Sequence, residues 1–319
     1  MTPTPPERTR NWTARHIPDQ SGRTAVVTGA NSGIGYVTAR ELARHGAKVI
    51  LACRSEERGS RALARLASEV PSAAAEFRSL DLGDLASVRN FADRYEREGD
   101  GRLDLLVNNA GVMALPYRRT ADGFETQFGV NHLGHFALTG LLLPRLLTTP
   151  GARVVTVASM LHLLANIDIA DLNSEQRYRR WPAYARSKTA NLLFTHELAR
   201  RLADTGSDVV AAAAHPGYAS TNLQSAGPRM SGRRATAALM ATGNRLVGQS
   251  AEAGALPTLY AATAPGVRPD SFTGPRFLAW RGAPAPSPRA GWTRNDVASE
   301  RLWAASETLT GVTYAALKG

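Results

Sequence analysis

Short apolar runs alternate with amphipathic stretches along most of the chain. The runs Thr24–Thr28, Lys48–Ala52, Glu76–Leu80, Leu103–Val107, Arg153–Ala158 and Asp208–His215 read as strands. Between them, apolar residues recur at helical spacing over Ile34–His45, Arg58–Val70, Leu85–Glu98, Leu133–Leu147 and Tyr184–Ala203. In the third of these, Leu85, Val88, Phe91, Ala92 and Tyr95 share a face, and Asp84 stands where an N-cap is wanted. Strands that are apolar throughout and separated by helices predict a parallel sheet covered on both sides.

The pattern breaks in three places. Residues 1–20 are rich in Pro, Thr and Arg and read as a loosely packed tail ahead of a single domain over 21–319. From about 222 to 250 the text is small and polar, which predicts a lid, before it resumes helically to Thr263. Ala283–Arg289 holds three prolines in seven residues and reads as a surface loop.

Composition narrows the class. Of 319 residues, 43% are hydrophobic and 20% charged, which excludes a wholly disordered chain. The lone Cys53 excludes an intrachain disulfide and reads as a small apolar filler. No apolar run reaches the roughly 20 residues of a membrane span, and the expected location is cytoplasmic. A net charge of +11 raises a nucleic-acid partner. The arginines are scattered, however, with no block of like charge, and that partner is not expected.

The candidate chemistry begins after the first strand. In Thr28-Gly29-Ala30-Asn31-Ser32-Gly33-Ile34-Gly35, glycines let backbone approach a pyrophosphate, and the helix start offers free amides. Gly29, Asn31, Ser32, Gly33, Ile34 and Gly35 are therefore candidate dinucleotide contacts. The second strand ends Leu51-Ala52-Cys53-Arg54-Ser55, without the carboxylate that would bind ribose hydroxyls and repel a 2′-phosphate. Arg54, with Ser55 beside it, could grip that phosphate, so NADP(H) is expected over NAD(H).

Three further segments follow in order: Asn108-Asn109-Ala110-Gly111, Ser159, and Tyr184-Ala185-Arg186-Ser187-Lys188. With them the chain resembles the short-chain dehydrogenase/reductase family. The retinol-dehydrogenase-like members are most similar, through Leu51–Arg54, Asn131-His132-Leu133-Gly134-His135-Phe136, His215-Pro216-Gly217 and the late segment Ala298–Gly311. The resemblance runs from about residue 22 to 311. It implies a doubly wound α/β fold of the Rossmann type with seven parallel strands, and homo-oligomers built through the helices of Leu133 and Tyr184. It also implies cofactor contacts at Asp81 and Leu82, Asn108, Ala110, Gly111, Tyr184, Lys188, Pro216, Gly217 and Thr221, although Asn108, at the end of the fourth strand, reads as structural as much as binding.

A carbonyl reduction needs a proton donor near the oxygen. A phenol with an ordinary pKa of about 10 is a poor one at neutral pH. Lys188 lies one helical turn after Tyr184, where an ammonium would favour phenolate. Only three of the 38 Lys and Arg residues are lysine, so lysine at that spacing is unlikely by chance. The resemblance implies that Ser159 holds the substrate oxygen and that Lys188 also meets the nicotinamide ribose. It further implies that Asn131 bends a helix and holds a water leading to solvent. Met113, Leu163, Leu164 and Tyr218 suggest an apolar substrate, an alcohol or carbonyl compound of retinoid, steroid or polyketide kind. Heavy Ala and Arg usage suggests a bacterial source and secondary-metabolite tailoring. A non-catalytic NADP(H) sensor or an epimerase using the same residues are the rival readings. His132 and His135, three apart on a helix, lack a nearby third ligand and are expected to pack, with no metal.

Overall fold

The computed structural model describes residues 11–98, 101–217 and 249–317. One sheet holds β1 (Thr24–Thr28), β2 (Lys48–Cys53), β3 (Ala75–Ser79), β4 (Leu105–Asn108), β5 (Arg153–Val157), β6 (Val210–Ala214), β7 (Phe272–Phe277) and β8 (Arg281–Pro286). The helices are α1 (Gly33–Arg44), α2 (Glu56–Glu69), α3 (Leu85–Glu98), α4 (Thr126–Phe128), α5 (Gly134–Leu147), α6 (Arg180–Asp204), α7 (Ala251–Thr263) and α8 (Asp296–Thr310). Strand order is β3-β2-β1-β4-β5-β6-β7-β8. The order reverses between β1 and β4, which opens the ligand crevice of a doubly wound sheet beyond their carboxyl ends.

The sheet has eight strands rather than the expected seven. The seven parallel strands are there, and β8 adds an antiparallel edge on β7. The proline-rich stretch expected as a loop from Ala283 thus begins inside a strand. Pro284 and Pro286 are tolerated because an edge strand can spare amides.

Alternate strand residues feed two cores, as the pleat requires. Val26, Ile50, Leu106 and Val154 face α3, α5 and α6. Their neighbours Val27, Leu51, Leu105 and Val155 face α1, α2 and α7. The second core also takes Trp12 and Ile17, both buried, with Trp12 edge-on to Tyr260 at 5.4 Å. Residues 11–20 are therefore not the loose tail expected of them: an indole of that size stabilises far more in the core than in water.

The C-terminal segment covers the outer face of α5 and α6. Trp303 stacks on Phe194 at 5.9 Å, and the Tyr314 hydroxyl donates to Phe136 O at 2.7 Å. Gly140 leaves the room, since a Cβ there would stand 2.7 Å from the Tyr314 ring. Leu302 packs with Leu133 and Leu193. These contacts lie on the helices that follow Leu133 and carry Tyr184.

Candidate active site

Gly29 and Gly33 adopt φ of +66° and +57°, the left-handed turn that glycine permits without strain. Gly35 is equally constrained: a Cβ would meet Asn109 Nδ2 at 2.4 Å and Gly29 O at 2.5 Å. No side chain caps the start of α1, and its first turn carries no acid. Its leading amides and the helix dipole are left to attract an anion, so the cradle fits a dinucleotide pyrophosphate.

The loops after β1 and β4 are bolted together through residues to which the sequence reading gave no role. The Thr28 hydroxyl oxygen accepts from Asn109 N and Ala110 N, both at 2.9 Å, and Asn109 Nδ2 donates to Thr28 O at 2.7 Å. His135 extends the link. Asn131 O can only accept, so His135 Nδ1 carries the proton at 3.1 Å, and the Thr28 hydroxyl donates to Nε2 at 2.9 Å. Burial holds this imidazole neutral, its pKa pushed down to about 4. The signal was present in the quoted motifs, where Thr28 and Asn109 stand beside the glycines.

Asn131 lies in a π-helical turn over Gly129–Leu133, between α4 and α5. Its carboxamide accepts from Val112 N at 2.7 Å, donates to Val112 O at 2.9 Å and donates to Ser187 Oγ at 2.9 Å. That extra-wide turn is the helix irregularity anticipated at this position, and it fastens the segment after Gly111 to α6. Asn108 is fully buried, and its Nδ2 donates to Thr139 Oγ1 at 3.0 Å on the side of α5.

Ser159 ends β5. Its Oγ accepts from Leu161 N at 3.2 Å, and its carbonyl accepts from His162 Nδ1 at 2.7 Å. Burial pushes the Tyr184 phenol up to about 12, against a smaller downward pull from the neighbouring Ser159 hydroxyl. Lys188 Nζ stands 5.8 Å from the Tyr184 ring centroid and donates to Val157 O at 2.9 Å. Burial disfavours its charge and pushes its pKa down to about 8. Burial works against the depression expected of the Tyr184 phenol, since it desolvates Tyr184 and Lys188 together. Gly111 closes the group, with its Cβ position 3.6 Å from Lys188 Nζ and 3.1 Å from Asn131 Oδ1.

At the far end of β2, Arg54 is largely exposed and lies 3.8 Å from Asp81. Asp81 Oδ1 accepts from Gly83 N at 2.9 Å, which folds the turn carrying Leu82. Ser55 does not stand free beside Arg54, because its side chain caps α2 by accepting from Arg58 N at 3.3 Å. Gly217 takes φ +67°, and its amide donates to His215 Nδ1 at 3.1 Å. Pro216 O accepts from Gln249 Nε2 at 3.2 Å. Met113 is half-buried, whereas Leu163 and Leu164 are exposed. Tyr218, Thr221 and the expected lid up to residue 248 lie outside the described residues.

His132 packs among Phe128, Phe136 and Phe194 and shares a hydrogen bond of 2.8 Å with Ser306. Among the described residues no group of three or more potential ligands could hold a metal. Cys53 is buried, with its thiol pushed up to about 11 by desolvation.

The short chain dehydrogenase family model matches residues 23–231. Retinol dehydrogenase 12 of Homo sapiens is 43% identical over 296 residues, covering 92% of this chain and 88% of that protein. Polyprenol dehydrogenase of Mus musculus is 42% identical over 303 residues, covering 92% and 86%. Among solved structures, an uncharacterized protein from Mycobacterium paratuberculosis matches with TM-score 0.78 and 47% identity, covering 95% of this chain and 99% of that one. With the crevice, the glycine cradle and the Ser159, Tyr184 and Lys188 group in place, the chain belongs to the short-chain dehydrogenase family, as a retinol-dehydrogenase-like oxidoreductase acting on CH–OH groups.

Proposed function

We propose that the protein interconverts an apolar alcohol and its aldehyde or ketone with NADP(H), Tyr184 serving as the general acid and base. The observation that carries this reading is the convergence of Tyr184, Ser159 and Lys188 beside Gly111 and the π-turn of Asn131. A bound nicotinamide supplies or takes the hydride. Ser159 orients the substrate oxygen, and Tyr184 Oη gives or receives its proton. Lys188, with Nζ 5.8 Å from the Tyr184 ring, would hold the ribose of a bound cofactor. Asn131, fixed on Val112 and Ser187, keeps a water path to Lys188. Arg54, largely exposed after β2, would grip a 2′-phosphate in exchange for its 3.8 Å pairing with Asp81.

The relatives named for retinol and polyprenol support a long isoprenoid alcohol over a polyketide, and so weigh against secondary-metabolite tailoring. A sensor would have little need of the catalytic group, and an epimerase would return its cofactor unchanged. The test follows NADPH absorbance over a panel of retinoid, prenyl and small polar carbonyls, with NADH alongside and Arg54→Ala as the variant. Expected are faster turnover of the apolar compounds and an NADPH preference that falls about tenfold in the variant. Preference for small polar aldehydes, or for NADH, would overturn the respective part.

A further inference from the structure

We infer that the mouth of the active site docks on the surface of an anionic lipid bilayer. The argument starts from where large apolar side chains are left exposed. Eight such residues occur among the described ones, and seven of them sit in segments at the carboxyl end of the parallel sheet, the end that carries the site. Tyr117 follows β4, Leu163 and Leu164 follow β5, and Trp181 lies in the first turn of α6. The remaining three form the tip of the β7–β8 hairpin.

That tip is the sharpest feature. Leu278 and Ala279 have φ of 52° and 55° in a turn closed by Trp280 N donating to Phe277 O at 2.8 Å. Such a turn is ordinarily built from Asn and Gly. Here it holds Leu278 97% exposed and Phe277 64% exposed. An unfavourable backbone that presents an aliphatic side chain to water calls for a partner that takes that side chain. The Trp280 side of the tip leans on the cofactor loop, since a Cβ on Gly217 would stand 2.4 Å from Trp280 O.

The charge around this end says what the partner is. Tyr117 and Tyr178 meet edge-on at 5.1 Å and, with Pro116, Trp181 and Pro182, line a hollow of about 660 Å³. Arg118, Arg119, Arg177, Arg179 and Arg180 are exposed around it. In residues 116–119 and 175–182 the single carboxylate is Glu175, already paired with Arg119 at 3.0 Å. Arg281 stands exposed beside the hairpin tip, on a chain of net charge +11. Aromatic rings and arginines around aliphatic tips match a headgroup layer over hydrocarbon. Leu278, 97% exposed at the outermost point, would meet only phosphate and sugar on a nucleic acid, whereas hydrocarbon takes it, which favours the bilayer. A second copy would bring arginines against arginines. Docking so placed would open the crevice toward the lipid, a route for the substrate that rests on the apolar-substrate reading above.

The test is co-sedimentation of the full chain with vesicles of phosphatidylcholine alone or with 30% phosphatidylglycerol. We expect retention on the anionic vesicles, weakened by salt, and at least about tenfold less on the neutral ones. Leu278→Asp, which suits a left-handed turn, combined with Phe277→Ser lowers retention at least about tenfold, as does Arg179→Glu with Arg180→Glu. Turnover of a water-soluble carbonyl compound is followed in parallel. Its absence in the unaltered protein would count against the oxidoreductase reading alone. No retention on anionic vesicles, retention indifferent to Leu278→Asp with Phe277→Ser, or binding to duplex DNA in their place would overturn the docking.

Discussion

The cofactor half and the substrate half of the crevice are built on opposite principles. Around β1 and β4 the chain works through its backbone: left-handed glycines, an uncapped helix start, and Thr28, Asn109 and His135 joined by hydrogen bonds. Beyond β5 and β7 it works through exposed side chains on short turns and a hairpin tip. A backbone cradle tolerates almost no substitution, because its geometry is the function. A rim of side chains can change residue by residue while the fold stands.

The contrast predicts a descending series of effects. Tyr184→Phe, at the junction of the halves, lowers turnover about 10³-fold and leaves NADPH affinity within about twofold. Fluorescence titration with stopped-flow kinetics measures both, and equal losses in each would dissolve the distinction. Gly35→Ala strikes the cradle. Its Cβ meets Asn109 and Gly29 O inside contact distance, which predicts a cost of about 1–3 kcal/mol and at least about tenfold weaker NADPH binding.

Next comes acid. Burial holds His135 neutral down to about pH 4 and His215 to about pH 3, whereas in the unfolded chain they protonate near 6.5. Below pH 6.5 the unfolded state binds more protons, so stability falls as pH drops toward 4. Each histidine contributes up to about 1.4 kcal/mol per pH unit, seen as a shift in the urea midpoint. His215→Gln flattens that slope, and an unchanged slope would place the titration elsewhere. The smallest effect belongs to the rim: Leu163→Ser changes stability by less than about 0.5 kcal/mol. It acts instead on KM for apolar substrates, and a large loss of stability would show that the side chain is not exposed.

The same contrast explains what could be read from the sequence. Glycine spacing, the Asn108–Gly111 quartet and the Tyr184–Lys188 turn encode backbone needs, so the crevice and its central residues were legible. The α3 face was legible too, with Val88, Phe91, Ala92 and Tyr95 buried and Asp84 accepting from Ala86 N at 2.9 Å. β8 was not, because prolines advertise a loop and only pairing at a sheet edge makes them a strand. Nor was the packing of Trp12, since the Pro-, Thr- and Arg-rich residues before it give no hint of a distant Tyr260. The upward push of burial on the Tyr184 phenol was hidden because spacing reports which groups are near, not how much water both have lost.

The covering of α5 and α6 by residues 296–317 bears on how the protein is made. The core that backs the helix of Tyr184 and Lys188 includes Trp303, Val312, Tyr314 and Leu317. During synthesis that helix leaves the ribosome more than a hundred residues ahead of its last wall. Until Tyr314 reaches Phe136, the aromatic floor beneath the catalytic helix is open to water, and a nascent chain stalled short of this point would carry every reactive side chain without the rigidity to aim them.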